Sequence, residues 1–182
     1  MRLSRFKRED LFYQAAYCEE NIWHLCQQAS LQNSYVVFIL SQGDAFPMLN
    51  QRASQDPSLP IFWDYHVVLL VLADTSQIYD FDTRLPFNTE IETYFSHSFM
   101  AESLLAAHEI PRFRLVPSDE YVKLFSSDRS HMKTPNGWLA PPPNWPLIGR
   151  SATNLSAYIQ STDNSFGELL TYQAVLDRFK AC

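Results

Sequence analysis

Cys18, His66 and a carboxylate at Asp80 or Asp82 have the residue types and neighbours that nucleophilic catalysis requires. Cysteine chemistry needs a thiolate, a base that can later protonate the leaving group, and a third group that orients the base. Cys18 opens the run Cys18-Glu19-Glu20-Asn21-Ile22-Trp23, after which Leu25, Cys26 and Ala29 continue one apolar face at helical spacing. Glu19 and Glu20 suit the positive end of that helix. The same end favours a thiolate and would lower the thiol from its ordinary value of about 8.5, whereas the two glutamates oppose this by their charge. A lone cysteine also reads as a small buried apolar residue, so its partners must decide.

His66 stands in Trp63-Asp64-Tyr65-His66, at the head of the wholly apolar run Val67-Val68-Leu69-Leu70. Strands over 62–72 and 77–81, joined by Ala73-Asp74-Thr75-Ser76, read as an antiparallel hairpin. A turn centred on Asp74 sets Asp82 opposite His66, and one centred on Ala73 sets Asp80 there. Either way both carboxylates share the face of His66, one opposite and one on the diagonal. A His–Asp couple is thus expected, with the carboxylate fixing the tautomer and supporting the positive imidazole. The same couple would also satisfy a carboxylate buried for structure alone.

The elements that must position these groups follow from periodicity. A helix is expected from Cys18 to about Ala29, then a buried strand over Tyr35–Leu40. A long loop covers 41–60, with one short strand at Phe46-Pro47-Met48. After the hairpin, a helix over 91–107 carries Ile91, Tyr94, Phe95, Phe99, Leu104 and Leu105 as its apolar stripe. A strand at 113–116 leads to a helix over 118–125 that Ser118 can cap. Five of the eleven prolines lie between Pro135 and Pro146, interleaved with Trp138 and Trp145. That composition suits either a peptide-binding wall or, preferably, a segment wrapped over the core. Helices over 154–160 and 171–180 close the chain. Helix, strands, helix, strand and helices in that order make an α+β class rather than alternating βαβ.

The 182 residues, 46% hydrophobic and 19% charged, are expected to form one domain over 1–182 with residues 1–10 as a flexible N-terminal segment. A net charge of −6 and a pI near 5.3 argue against a nucleic-acid footprint. Cys18, Cys26 and Cys182 are too few and too odd in number for a disulfide framework. The basic N-terminal stretch lacks the apolar run of a secretory signal, and the longest apolar run is too short to span a bilayer. A soluble protein of a reducing, intracellular compartment is expected.

Taken together, Tyr17-Cys18-Glu19-Glu20-Asn21-Ile22-Trp23, Trp63-Asp64-Tyr65-His66-Val67-Val68, Tyr79-Asp80-Phe81-Asp82-Thr83 with Leu85-Pro86-Phe87, and Ser127-Asp128-Arg129-Ser130-His131-Met132 resemble the protein N-terminal glutamine amidohydrolase family. The resemblance runs in order from Tyr17 to Pro146 and continues weakly into the closing helix. It implies Cys18 as nucleophile, His66 as base and Asp80, the first Asp of its motif, as orienting acid. It also implies a papain/transglutaminase-like fold, a monomer without metal or cofactor, and a place in the cytosol and nucleus. The implied reaction converts the side-chain amide of an N-terminal glutamine, on Gln-initiated proteins, to glutamate with release of ammonia. The product would feed the arginylation branch of N-end-rule degradation. Gln14-Ala15-Ala16 lacks the additional cysteine often found there in the family, and residues 149–167 match poorly.

Recognition of a chain terminus requires acceptors for the α-ammonium. Glu20, Asp64 and Asp128 qualify by charge, although each has a structural reading: Glu20 as a first-turn residue, Asp64 as a strand end, Asp128 as a partner of Arg129. His131 is a rival base, placed second. A transglutaminase-like acyltransferase and an inactive N-terminal peptide-binding module are the competing functions.

Overall fold

The computed structural model describes residues 7–180; the basic stretch before Lys7 and Cys182 lie outside them. Of the segment expected to be flexible through residue 10, residues 8–10 form a 3-10 turn. Arg8 is tied down by donating to the carbonyls of Asp80 (3.5 Å) and Thr83 (3.1 Å).

The chain opens with α1 (Cys18–Leu25) and continues into β1 (Ser34–Leu40), β2 (Phe46–Met48), β3 (Ile61–Trp63), β4 (His66–Val71), β5 (Gln77–Tyr79) and β6 (Asn88–Glu90). Then come α2 (Ile91–Ser98), β7 (Arg112–Pro117), α3 (Ser118–Leu124), β8 (Lys133–Thr134) and β9 (Gly137–Trp138). The described chain closes with α4 (Leu155–Ile159), β10 (Glu168–Leu170) and α5 (Tyr172–Phe179). Six strands form one antiparallel sheet in the order β10-β7-β1-β4-β5-β6, and β2–β3 and β8–β9 make two separate ribbons. The architecture is α+β.

β1 and β4 lie at the centre of the sheet and are covered on both faces, which is why they read as unbroken apolar runs. Val36, Phe38, Val67 and Leu69 pack toward Ile22 and Leu25 of α1, Tyr121 of α3 and Tyr158 of α4. Val37, Ile39, Val68 and Leu70 pack toward Ile91 and Phe95 of α2 and Val175 of α5. The helix that begins with Cys18 is therefore held against the sheet by core packing rather than by its own short length.

Several expected boundaries shift for local reasons. α1 stops at Leu25 because the Gln27 and Gln28 N–H groups turn to acceptors three residues back, tightening the chain toward the 3-10 turn at Ala29–Leu31. The strand expected over 62–72 is broken at Asp64-Tyr65, where the Asp64 carboxylate accepts the Tyr65 backbone N–H at 2.9 Å. β3 consequently leaves the main sheet and pairs with β2. The helix expected to reach 107 ends at Ser98, since Phe99 turns extended to pack on Phe113 at 5.2 Å, and Leu104 is exposed. Ser118 does not cap α3: Pro117 holds that position, and the Ser118 hydroxyl donates to the Gln32 carbonyl. β6, β8, β9 and β10 are additional to the expected strands.

The Pro-rich segment wraps over α1. The Tyr17 hydroxyl donates to the Ala140 carbonyl, and the Arg129 guanidinium donates to the carbonyls of Pro143, Trp145 and Pro146. Among the described residues no helix is long and apolar enough to cross a membrane.

Candidate active site

Cys18 is the first residue of α1, and the entry to that helix is fixed by its own sequence. Asn21 clamps the backbone of Gln14 from both sides, accepting from its N–H at 2.8 Å and donating to its carbonyl at 2.9 Å. Ala16, two residues before the cysteine, takes a left-handed φ of 67°, a conformation costly for a residue with a Cβ. The clamp and this turn aim Cys18 at the head of β4, where the Val67 backbone N–H donates to its sulfur. Burial pushes the Cys18 thiol well up, the charges of Glu19 and Asp82 add to the rise, and the Val67 N–H opposes it.

Val67 adjoins His66. Strand β4 pairs with β5 as Leu69↔Tyr79, Leu70↔Ile78 and Val71↔Gln77. Extended, that register would set Asp82 opposite His66, the alternative with the turn centred on Asp74. The ladder ends at Leu69↔Tyr79, however, and the chain beyond it turns so that Asp80 reaches across. His66 Nε2 meets Asp80 Oδ1 at 2.9 Å, with both residues buried. The second Asp80 oxygen accepts from the Tyr94 hydroxyl of α2 at 2.8 Å, and Oδ1 also accepts the Asp82 backbone N–H at 2.8 Å. Burial lowers the His66 imidazolium, but the Asp80 charge, its hydrogen bond and the more distant Asp82 charge together outweigh burial and leave it above its ordinary value. Burial raises Asp80, yet His66, the Asp82 N–H and Tyr94 more than compensate and hold it ionised below the ordinary range. Trp63 stacks on the imidazole at 5.2 Å, and His66 Nδ1 is buried with no hydrogen-bond partner. The imidazole is thus oriented at one nitrogen and free to act at the other.

Cys18 opens onto a cleft of about 320 Å³. Trp63, Asp64, Tyr65, Asp82 and His131 line it on the polar side, and Met132, Leu139, Leu155 and Ile159 on the apolar side. Asp64 is the one sequence-nominated terminus acceptor in this wall, and it is exposed. Glu20 is fully buried and committed elsewhere: its oxygens accept from Ser127 (2.8 Å), from the forked Arg129 guanidinium (2.8–3.2 Å) and from Trp145 (2.7 Å). Asp128 does not pair with Arg129; it accepts the Ser130 backbone N–H at 2.9 Å and lies outside the cleft wall. His131, ranked second as a base, lines the cleft and meets Glu19 at 3.4 Å rather than Asp80.

In the sequence Tyr94 reads only as part of an apolar stripe, and nothing there assigns Asp82 to the cleft wall. A hydroxyl-bearing ring on an otherwise apolar helix face was the available signal for Tyr94, because a buried tyrosine hydroxyl needs a partner. Asp82 accepts from the Tyr13 hydroxyl at 2.6 Å. Burial pushes its carboxyl up, with the His66 charge opposing and the Asp80 charge adding. His66, Asp80 and Asp82 bring potential metal-ligand atoms within 4.8 Å of one another. Both Asp80 oxygens already accept hydrogen bonds, from His66, the Asp82 backbone N–H and Tyr94.

Comparison with known proteins places the chain in a family. A family model described as N-terminal glutamine amidase matches residues 13–179. The chain is 37% identical to the protein N-terminal glutamine amidohydrolase of Bos taurus, over 96% of this chain and 89% of that protein. It is 38% identical to the Homo sapiens protein of the same name, over 94% and 89%. The Drosophila melanogaster protein of that name is 37% identical over 78% and 74%.

Proposed function

We propose that this chain, which belongs to the N-terminal glutamine amidase family, is an amidohydrolase converting the N-terminal glutamine of proteins or peptides to glutamate with release of ammonia. The observation that carries the chemistry is the buried His66–Asp80 pair, with the Cys18 sulfur bonded to the N–H of the residue next to His66. We read the fold as papain/transglutaminase-like, because a cysteine at a helix start packs on an antiparallel sheet whose adjacent strands present the histidine and the acid.

In this reading the active form holds one proton between Cys18 and His66. The Cys18 thiolate attacks the side-chain carboxamide carbon, and the negative oxygen that forms is stabilised by N–H groups at the start of α1, that of Cys18 first. His66 protonates the departing nitrogen, which leaves as ammonia, and a γ-glutamyl thioester remains on Cys18. A water molecule then attacks the thioester carbon while His66 takes its proton. The carbon–sulfur bond breaks, freeing the γ-carboxylate and the thiol. Asp80, held by Tyr94, keeps Nε2–H directed away from the reaction so that Nδ1 faces it.

The acidic cleft supports recognition of a free α-ammonium, with Asp64 as the acceptor among the residues nominated by charge. The expected partners are the N-termini of Gln-initiated proteins, met by a monomer in the cytosol and nucleus, upstream of arginylation and N-end-rule degradation. Cys18→Ala tests the chemistry: ammonia release from a Gln-initiated peptide should disappear while the fold and peptide binding persist. Appreciable residual turnover would sink the mechanism. Incorporation of an added amine in place of hydrolysis would move the protein to the acyltransferase class.

A further inference from the structure

Glu19 is fully buried directly after the nucleophile, and the mechanism above gives it no task. Its Oε2 accepts from the Tyr65 hydroxyl at 3.1 Å and from the Cys18 thiol at 3.7 Å. Its Oε1 has no hydrogen-bond partner. Among the described residues its one ion-pair contact is His131 Nε2, at 3.4 Å, and both nitrogens of that ring are buried without a hydrogen bond. Glu19 meets no Lys or Arg side chain among the described residues. It also works against the nucleophile, since Glu19 is the largest charge contribution raising the Cys18 thiol, second only to burial.

A carboxylate that hinders the thiolate also acts on a second anion placed at the same sulfur. The reaction creates one. The substrate carbon bonded to sulfur begins as a neutral carboxamide and ends as a γ-carboxylate, so substrate and product differ by one negative charge within a few ångströms of Glu19. In a poorly solvated site that difference is large, because like charges at this range repel strongly while a neutral amide does not. Asp64 and Asp82 in the cleft wall reinforce the sign.

We propose that Glu19 is a specificity-determining carboxylate that admits the neutral γ-carboxamide and expels the γ-carboxylate product. It thereby speeds release and disfavours re-formation of the thioester from glutamate. This rests on the amidohydrolase reading and assigns it a selector for the substrate's reacting group. Glu19→Gln removes the charge at nearly constant shape and keeps an acceptor for Tyr65. Inhibition by a Glu-initiated product peptide should tighten in the variant by about tenfold or more, as expected for loss of one close like-charge contact. KM for the matching Gln-initiated peptide should change by less than about threefold, since an uncharged group loses little. Iodoacetamide should alkylate Cys18 faster in the variant at fixed pH, because the thiolate is no longer opposed. A product inhibition constant that is unchanged, or that moves in parallel with KM, overturns the inference. Should the variant not fold, the unmutated enzyme decides: product binding as tight as KM for substrate overturns it, and product binding at least about tenfold weaker supports it. Failure of the unmutated enzyme to turn over any Gln-initiated peptide would overturn the family reading and this inference together. Normal turnover with unselective product binding overturns this inference alone.

Discussion

At the scale of single residues, the proposed mechanism makes the pair of His66 and Asp80 determine when the enzyme can act. Both His66 and Cys18 are held above their ordinary values, so at low pH the two carry a proton each. The active form with one shared proton arises only as pH rises past the raised His66 value. The acid limb of kcat/KM should therefore lie above about pH 6.5, the ordinary imidazole value. Asp80→Asn removes the charge that supports the imidazolium. It should move that limb to lower pH while cutting kcat by about a hundredfold or more. Tyr94→Phe leaves the charge but deletes one hydrogen bond to it, and should cost about 1.5–3 kcal/mol in urea unfolding with a smaller loss of rate. An acid limb unmoved by Asp80→Asn would remove His66 from the rate-determining protonation. Both carboxylates were legible as possible partners from the hairpin, but the choice was not. Strand arithmetic assumes a ladder that continues, and this one stops at Tyr79.

At the scale of elements, α1 is held in place by the Pro-rich segment as well as by the sheet. Glu20 and Arg129 form a forked, buried ion pair between α1 and the loop after α3, and the same guanidinium closes on three carbonyls at residues 143–146. Breaking one half of such a pair strands a charge in the core. Arg129→Met should lower unfolding stability by about 3–5 kcal/mol, read as a reduced urea midpoint. A loss under about 1 kcal/mol would mean that the loop repacks. Sequence reasoning paired Arg129 with its neighbour Asp128, because adjacency is all that a sequence displays. The true partner lies 109 residues away. The helix start, the buried strands and the wrapping prolines were legible from composition and period. The break at Asp64-Tyr65 was not, since it depends on a side chain capturing a backbone N–H.

At the scale of the whole molecule, the C-terminal third is fastened to the sheet behind the site. Arg114 of β7 is fully buried and donates to the carbonyls of Tyr158, Gln160 and Phe166, each at 2.8 Å, so a cation in the core is satisfied by backbone. β10 then adds the edge strand through Gly167, whose φ of 64° and close approach to the Leu115 carbonyl leave no room for a Cβ. Gly167→Ala should lower the melting temperature and cost more than about 1 kcal/mol, with the cleft otherwise intact. A neutral result would show that β10 can detach without cost. The sequence of this region carries no motif that points to the site, yet α4 supplies Leu155 and Ile159 to the cleft wall. Apolar wall positions tolerate exchange among residues of similar size, which leaves no motif to read.

The central claim is turnover at a free N-terminal glutamine through Cys18, and ammonia release from four matched peptides tests it most directly. The set is a Gln-initiated peptide, its Asn-initiated counterpart, one with internal Gln, and the Nα-acetylated Gln peptide. Release is expected from the free Gln-initiated peptide alone, abolished by Cys18→Ala. Comparable release from internal or acetylated glutamine would contradict terminus recognition. Binding of the first peptide with no release would contradict the catalytic reading altogether.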